Sequence, residues 1–233
     1  MTTLAPSPLG SEALDASDCP ADVARATLGD IAVSNTLFGG RSAAWFGLRR
    51  LLAAGVPQGP LTLLDVGAGS CDITRYLVQR AARRGVAITP VGLDFHTTAV
   101  SLCRVRGAHA VIANASAVPF RPRSVDFVLA SQFLHHFARA SVVELLRSFM
   151  SLARIGVVVT EPRRTPLAAT GIRFAGRLLR FHPATVHDGV LSVRRSFTAT
   201  ELTALLAEAG VVVRVHRRPG FRLVAVWNVN AHA

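Results

Sequence analysis

Lysine is absent from this chain: all 26 of its Lys/Arg-type residues are arginine. That usage points to coding bias in a GC-rich genome rather than to a surface selected to be basic. Long hydrophobic runs are absent too. Half of the residues are apolar, yet none of the runs approaches the ~20 uninterrupted apolar residues of a membrane span. Residues 1–20 lack both a basic n-region and an apolar h-region, so no secretory signal is read there. The three cysteines, Cys19, Cys71 and Cys103, are too few and too scattered for a disulfide framework or a metal motif. They read as reduced thiols of a cytoplasmic protein, and no metal is expected. No internal repeat is visible.

The 233 residues suffice for one large core, that is, one α/β domain with an extension. The net charge of +12 is unevenly spread. Residues 1–40 hold five acids and one arginine, which leaves 25 arginines against nine acids, a balance of +16, in the rest. Such a field attracts phosphate groups or an anionic membrane surface. A solvated, arginine-rich surface accounts for the same numbers.

The densest information lies in Leu61-Thr62-Leu63-Leu64-Asp65-Val66-Gly67-Ala68-Gly69-Ser70-Cys71-Asp72. An apolar strand ends in an acid, turns through G-x-G, and feeds a helix expected over about 71–84. This is how an α/β sheet presents a nucleotide-like cofactor to a helix N-terminus. A dinucleotide site needs a third glycine at position 72, where the pyrophosphate rests on the helix amides. Asp72 stands there instead, and an acid repels a pyrophosphate. With Asp65 close by, the loop suits a cofactor carrying a sulfonium and an amino group, S-adenosylmethionine rather than NAD. The next strand, 87–94, also ends in an acid, Asp94, placed to hydrogen-bond ribose hydroxyls. Phe95 follows and could lie against an adenine face. Two further segments come in order: Ile112-Ala113-Asn114-Ala115-Ser116-Ala117-Val118-Pro119-Phe120, and a strand Val125–Ser131 leading into Gln132-Phe133-Leu134-His135-His136-Phe137.

Taken together, LLDVGAGSCD, VGLDFH, NASAVPF and VDFVLASQFLHHF resemble the class I S-adenosylmethionine-dependent methyltransferases. The resemblance covers about 61–229 and lies near the branch acting on quinones and phenols. It implies a Rossmann-like, seven-stranded, mostly parallel sheet with an antiparallel last strand. It also implies that Gly67 and Gly69 hold the methionine part of the cofactor, Asp94 the ribose, and Asn114 the adenine amino group. Cys71 stands where the family often has a third glycine, and Asn114 where it usually has Asp. The full expected cofactor wall is Asp65, Gly67, Ala68, Gly69, Asp94, Phe95, Asn114, Ala115 and Ser131.

The organisation reads as a disordered N-terminus (1–20), a helical extension or cap (21–58) and the methyltransferase domain (59–233). Two helices are expected over 21–54, broken at Gly39-Gly40. A helix is expected over 138–153, then a buried strand over 154–161. Residues 162–196 form an excursion too long for a plain connector. Its first half, 167–181, is amphipathic and cationic. Arg173, Arg177 and Arg180 share one face; Phe174, Ala175, Leu178, Leu179 and Phe181 share the other. It is expected either to close as a lid over an apolar acceptor or to lie on an anionic membrane surface. Thr198 and Glu201 form a capping box that opens the next helix, which Gly210 ends. Two strands, 211–215 and 223–229, close the sheet around Pro219-Gly220.

For methyl transfer an enzyme chiefly supplies proximity, and a phenol or carbon acid must also lose a proton to a nearby base. His136 is the first candidate, His135 the second, and His187, beside Asp188, the rival. Arg194 or Arg195 could bind an acidic substrate group, and Glu161 could line the floor. The expected acceptor is a small apolar molecule, aromatic or quinone-like, methylated on oxygen or carbon. The basic surface keeps a nucleic-acid substrate as the alternative. Against it, the fourth strand lacks the Asp/Asn-Pro-Pro-aromatic run associated with methylation of base amino groups, and no RNA-binding module is appended, so no nucleic acid is expected as a partner. Oligomeric state is not legible.

Overall fold

A computed structural model describes residues 10–16, 18–103 and 108–229. The strands are β1 (Leu61–Val66), β2 (Ile88–Asp94), β3 (His109–Ile112), β4 (Val125–Ser131), β5 (Ala153–Pro162), β6 (His216–Arg218) and β7 (Arg222–Asn228). The helices are α1 (Ala21–Leu37), α2 (Gly40–Ala53), α3 (Asp72–Ala82), α4 (Thr97–Leu102), α5 (Arg139–Leu152), α6 (Pro166–Leu178), α7 (Pro183–Arg195) and α8 (Ala199–Glu208).

The seven strands form one sheet in the order β3-β2-β1-β4-β5-β7-β6. The first five are parallel; β7 runs antiparallel to β5 and pairs antiparallel with β6. Strand order reverses between β1 and β4. In open α/β sheets ligands bind beyond the carboxyl ends of strands at such a point. The central strands are apolar on both faces because both are covered. Phe149 and Leu146 of α5 with Leu202 and Leu205 of α8 fill one side. Trp45, Leu48 and Leu51 of α2 with Ile73 and Leu77 of α3 fill the other. α2 thus belongs to the sheet's own layers. α1 packs on α3, α4 and α7, and α6 pairs with α7, so these three roof the carboxyl ends.

Local signals set several boundaries. The capping box forms in both directions: Glu201 N donates to Thr198 Oγ1 (3.3 Å) and Thr198 N to Glu201 Oε2 (2.7 Å). Thr165 caps α6, accepting from Ala168 N (3.1 Å), with Pro166 at the first helical position. Gly210, at φ 91°, ends α8.

Two expectations are corrected. The first closing strand is His216–Arg218 rather than 211–215. Val211 and Val213 pack into the core without pairing, while Val212 points to solvent. Only residues 216–218 pair with β7, around the turn at Pro219-Gly220. Cys71 and Cys103 are not separate thiols but joined in a disulfide, with Cα atoms 4.9 Å apart. The end of α4 returns to the start of α3 over Gly92, where a Cβ would strike Cys71 Sγ at 2.7 Å and Cys103 Sγ at 3.0 Å. Cys19 is free.

Candidate active site

A cavity of about 930 Å³ opens at the carboxyl ends of the strands, under α1, α6 and α7. That is within the roughly 300–1,000 Å³ of small-molecule sites. All nine residues of the expected cofactor wall line it, from Asp65 to Ser131. Gly67, at φ 71°, adopts a conformation that favours glycine. A Cβ there would run into the ring of Phe133, not into open cofactor space. Gly69 N donates to Asp94 Oδ2 (2.8 Å) and His96 N to Asp94 Oδ1 (2.9 Å). Those two bonds fix the carboxylate at the end of β2. Burial pushes the Asp94 pKa up against them.

Asp65 is fully buried and accepts a hydrogen bond from Thr74 Oγ1. Burial dominates, with the charges of Asp72 and Asp94 adding to it, and the pKa rises to about 7. Asn114 accepts from Ser116 N (2.9 Å) and caps a short 3-10 turn that carries Ala115. Ser131 Oγ bonds Thr160 Oγ1 (2.8 Å). Phe95 lies on the wall beside His96.

Asp72 ties the roof to this loop. Asn35 Nδ2 donates to Asp72 Oδ1 (3.1 Å) and Arg41 Nε to Asp72 Oδ2 (3.2 Å). Gln132 Nε2 donates to Asn35 Oδ1 (2.7 Å), and Arg222 donates to Gln132 Oε1. Gln132 is held at φ 56°, a sparsely populated conformation for a non-glycine residue, which aims it at the roof.

The opposite wall carries both histidines that follow β4. Glu161, fully buried at the end of β5, organises them. Its Oε1 accepts from Phe133 N (2.9 Å) and Leu134 N (2.7 Å), and its Oε2 meets His135 Nδ1 at 2.6 Å. His136 Nδ1 meets Asp15 Oδ1, also at 2.6 Å. The rings lie 4.4 Å apart between centroids. Arg195 Nη1 donates to Asp15 Oδ2 (2.9 Å) and Nη2 to the His136 carbonyl (3.0 Å). Glu12 faces both rings, at 3.6 Å from His135 Nε2 and 3.9 Å from His136 Nε2.

Burial opposes charge on His135, but Glu161 and Glu12 prevail and hold its pKa at about 9. Burial likewise opposes charge on Glu12 and Asp15. His136 chiefly, with His135 for Glu12 and Arg195 for Asp15, brings both below the usual carboxylate range.

Several expectations change here. Part of the stretch expected to be disordered, residues 1–9 and 17, lies outside the described residues. Within it, residues 10–16 pack against the histidines, because Glu12 and Asp15 find cationic and imidazole partners there. His187 does not reach the cavity: its side chain is 72% exposed on the outer side of α7, 3.1 Å from Asp188. Arg194 lines a separate outer groove with it. Arg195 is in the cavity wall but is engaged with Asp15.

The lid helix is rotated from the expected one: of its expected apolar face, Ala175 and Phe181 line the cavity, and Phe174, Leu178 and Leu179 do not. Ala168, Gly171, Ile172 and Ala175 face the cavity, with Phe181 beyond the helix end. Phe174 and Leu178 are 71% and 70% exposed. The cause is α7: a Cβ on Gly176 would collide with Val186, so the small residues take the inner side. Sequence reasoning missed Glu12, Asp15 and His96. His96 is buried in the cavity wall, and among the described residues neither of its ring nitrogens has a hydrogen-bond partner. Its only signal was that it follows Asp94 in VGLDFH.

The residues fit the expected cofactor. Two buried carboxylates and an unsatisfied imidazole stand around a glycine loop, in a cavity with room for a second molecule.

Comparison with known proteins agrees. Residues 64–159 match the family described as "Methyltransferase domain". A 2-phytyl-1,4-naphtoquinone methyltransferase of Thermosynechococcus vestitus is 38% identical over 74 residues. That match spans 30% of this chain and 31% of the relative, about a third of its length. Among solved structures, a SAM-dependent methyltransferase from Aquifex aeolicus superposes with a TM-score of 0.57 at 14% identity, covering 81% of this chain and 92% of that one. The magnesium protoporphyrin IX methyltransferase from Synechocystis, with bound SAH, gives 0.56 at 14% identity, covering 84% and 85%. The plantazolicin methyltransferase with a pentazolic substrate analogue and SAH gives 0.58 at 17%, covering 78% and 68%. At these identities the superpositions speak for the fold. Cavity, fold and the match of residues 64–159 to the methyltransferase-domain family thus agree with one another.

Proposed function

We propose that the chain transfers a methyl group to a small, apolar, aromatic or quinol-like acceptor. The observation that carries this reading is the placement of the His135–His136 pair on the cavity wall facing the glycine loop. When bound, S-adenosylmethionine supplies an electrophilic methyl group. The acceptor then needs only to be held in line and relieved of a proton. Ile112, Phe133, Phe137, Ile172 and Phe181 give it an apolar bed. His136 is the more accessible of the pair and is oriented by Asp15 from behind, as a base is by its carboxylate. Asp65, Asp94, Asn114 and His96 are assigned to the cofactor. The naphthoquinone substrate named for the partial relative supports a quinol-like acceptor.

The exposed ridge Leu167, Phe174 and Leu178, flanked by Arg173, Arg177 and Arg180, supports contact with an anionic bilayer, from which an apolar acceptor is drawn. Among the described residues no helix is long and apolar enough to cross a membrane. A protein peripheral to the bilayer fits both observations.

The test is transfer of labelled methyl from S-adenosylmethionine to a panel of quinols, alkylphenols, tRNA and DNA fragments. Labelling of the phenolic or quinol members is expected. Labelling of the nucleic acids alone would put the basic surface, not the His wall, at the centre of function.

A further inference from the structure

The His wall has a feature that a general base does not require. A carboxylate can only accept hydrogen bonds, so the 2.6 Å contacts to Glu161 and Asp15 place a proton on Nδ1 of both His135 and His136. Their Nε2 atoms therefore point away from the carboxylates behind them and toward one another's neighbourhood, where the Glu12 carboxylate also ends. The ligand atoms of Glu12, His135 and His136 all lie within 4.8 Å of one another. His135 Nε2 is buried with no hydrogen-bond partner among the described residues, and its 3.6 Å separation from Glu12 is too long for a hydrogen bond.

Histidines that bind metals through Nε2 characteristically give the other ring N–H to a carboxylate or carbonyl. Here both do, from two different elements: Glu161 on β5 and Asp15 in the N-terminal segment. Two imidazoles and one carboxylate, with remaining positions open to a cavity, form the donor set of catalytic zinc and non-haem iron sites. Charge agrees with geometry. Glu12, Asp15 and Glu161 bring three negative charges, and Arg195 returns one positive charge. With the imidazoles neutral, as metal ligation requires, the balance is −2, which a divalent ion cancels. Tetrahedral ligands at 2.0–2.2 Å from one zinc ion lie about 3.3–3.6 Å apart, so closure requires the more distant ligand atoms to approach by up to about an ångström.

We infer that Glu12, His135 and His136 bind one divalent transition-metal ion of the zinc class, seated on the acceptor side of the cavity. Binding displaces to solvent any proton held on His135 Nε2. The inference rests on the methyltransferase reading for what lies beside the ion. It changes the role given there to His136, from taking the acceptor's proton to holding a Lewis acid beside it.

The experiment is calorimetric titration of the EDTA-stripped full chain with zinc chloride, repeated with cobalt(II) and followed by visible and paramagnetic NMR spectra. One ion per chain is expected. The cobalt protein should show two shifted, exchange-protected imidazole N–H signals, the Nδ1 protons held by Asp15 and Glu161. This second readout needs no variant. Glu12→Gln and His136→Asn should each weaken zinc by at least 100-fold, and Asp15→Asn by roughly 10–100-fold. The affinity of each variant for S-adenosylhomocysteine reports whether it is folded. Sub-stoichiometric zinc, zinc affinity unchanged in Glu12→Gln, or absence of the two N–H signals overturns the site. If S-adenosylhomocysteine binds and zinc does not, only this inference fails; if neither binds, the methyltransferase reading fails with it.

Discussion

The two walls of the cavity treat buried carboxylates in opposite ways. On the glycine-loop wall, Asp65 and Asp94 are held by neutral donors, a threonine hydroxyl and two backbone N–H groups, and burial pushes both pKa values up. On the histidine wall, Glu12 and Asp15 meet imidazoles and a guanidinium, and both are pulled down in spite of burial. The first wall is short of positive charge and suits a cofactor that carries two cationic groups. The second already contains its own counter-charges, as protons on histidine and as Arg195. On the function proposed above, the difference separates cofactor binding from acceptor chemistry, and each wall should break without the other.

The largest effect is expected from His136→Ala. Loss of a group that either takes the acceptor's proton or holds a Lewis acid beside it should lower turnover by roughly 10²–10⁴-fold. Affinity for S-adenosylhomocysteine should change less than twofold, because the other wall is intact. Steady-state kinetics with calorimetry on the same preparation gives both numbers. An equal loss in both would mean that the walls are not independent.

Asp65 offers the next test. Its folded pKa of about 7 lies above the ordinary 3.8. Between those values the folded chain keeps a proton that the unfolded chain releases, so stability falls as pH rises from about 4 to 7. The decline is on the order of 4 kcal/mol. Asp65→Asn carries a neutral group at every pH and should flatten it, as read from urea unfolding at several pH values. An unchanged slope in the variant would assign the decline to another group.

Asp94→Ala then probes the same wall at its ligand. The variant leaves Gly69 N and His96 N without their acceptor and removes the expected ribose contact. Binding of S-adenosylhomocysteine should weaken by about 1.5–3 kcal/mol. Zinc binding should persist, which would sharpen the division between the walls.

The walls also differ in how far each was legible in the sequence. Glycine-loop contacts are local: Thr74 lies nine residues from Asp65, and Gly69 lies 25 from Asp94. One β-α-β unit brings them together, so motif spacing suffices. The histidine wall is assembled across the chain. His136 and Asp15 are 121 residues apart, Arg195 and Asp15 180. The His pair is visible because it follows a strand; Glu12 and Asp15 lie in a Ser/Pro/Ala-rich stretch whose composition gives no cue to its partners. The disulfide was hidden for the same reason, since a 32-residue separation shows nothing of α4 returning over Gly92. On α6 the periodicity was legible but its rotation was not. Small residues at Gly171, Ala175 and Gly176 decide which side meets the cavity and α7, and packing outweighs the larger apolar groups.

That rotation yields the smallest effect, at the boundary of the histidine wall. Phe174 and Leu178 point to solvent, so neither contacts an acceptor inside the cavity. Phe174→Ala should leave KM for a water-soluble acceptor unchanged. On vesicles containing anionic lipid the same variant loses a ring that inserts only into the headgroup region. That should cost about 1 kcal/mol, some fivefold in partitioning. Ile172→Ala, on the inner face, should do the reverse, raising acceptor KM with little change in partitioning. The pair therefore reports the two faces of one helix separately. Vesicle co-sedimentation and KM measured on both variants decide it. A raised KM in Phe174→Ala with a soluble acceptor would mean that α6 turns inward during turnover, and that the ridge belongs to the acceptor wall rather than to the membrane.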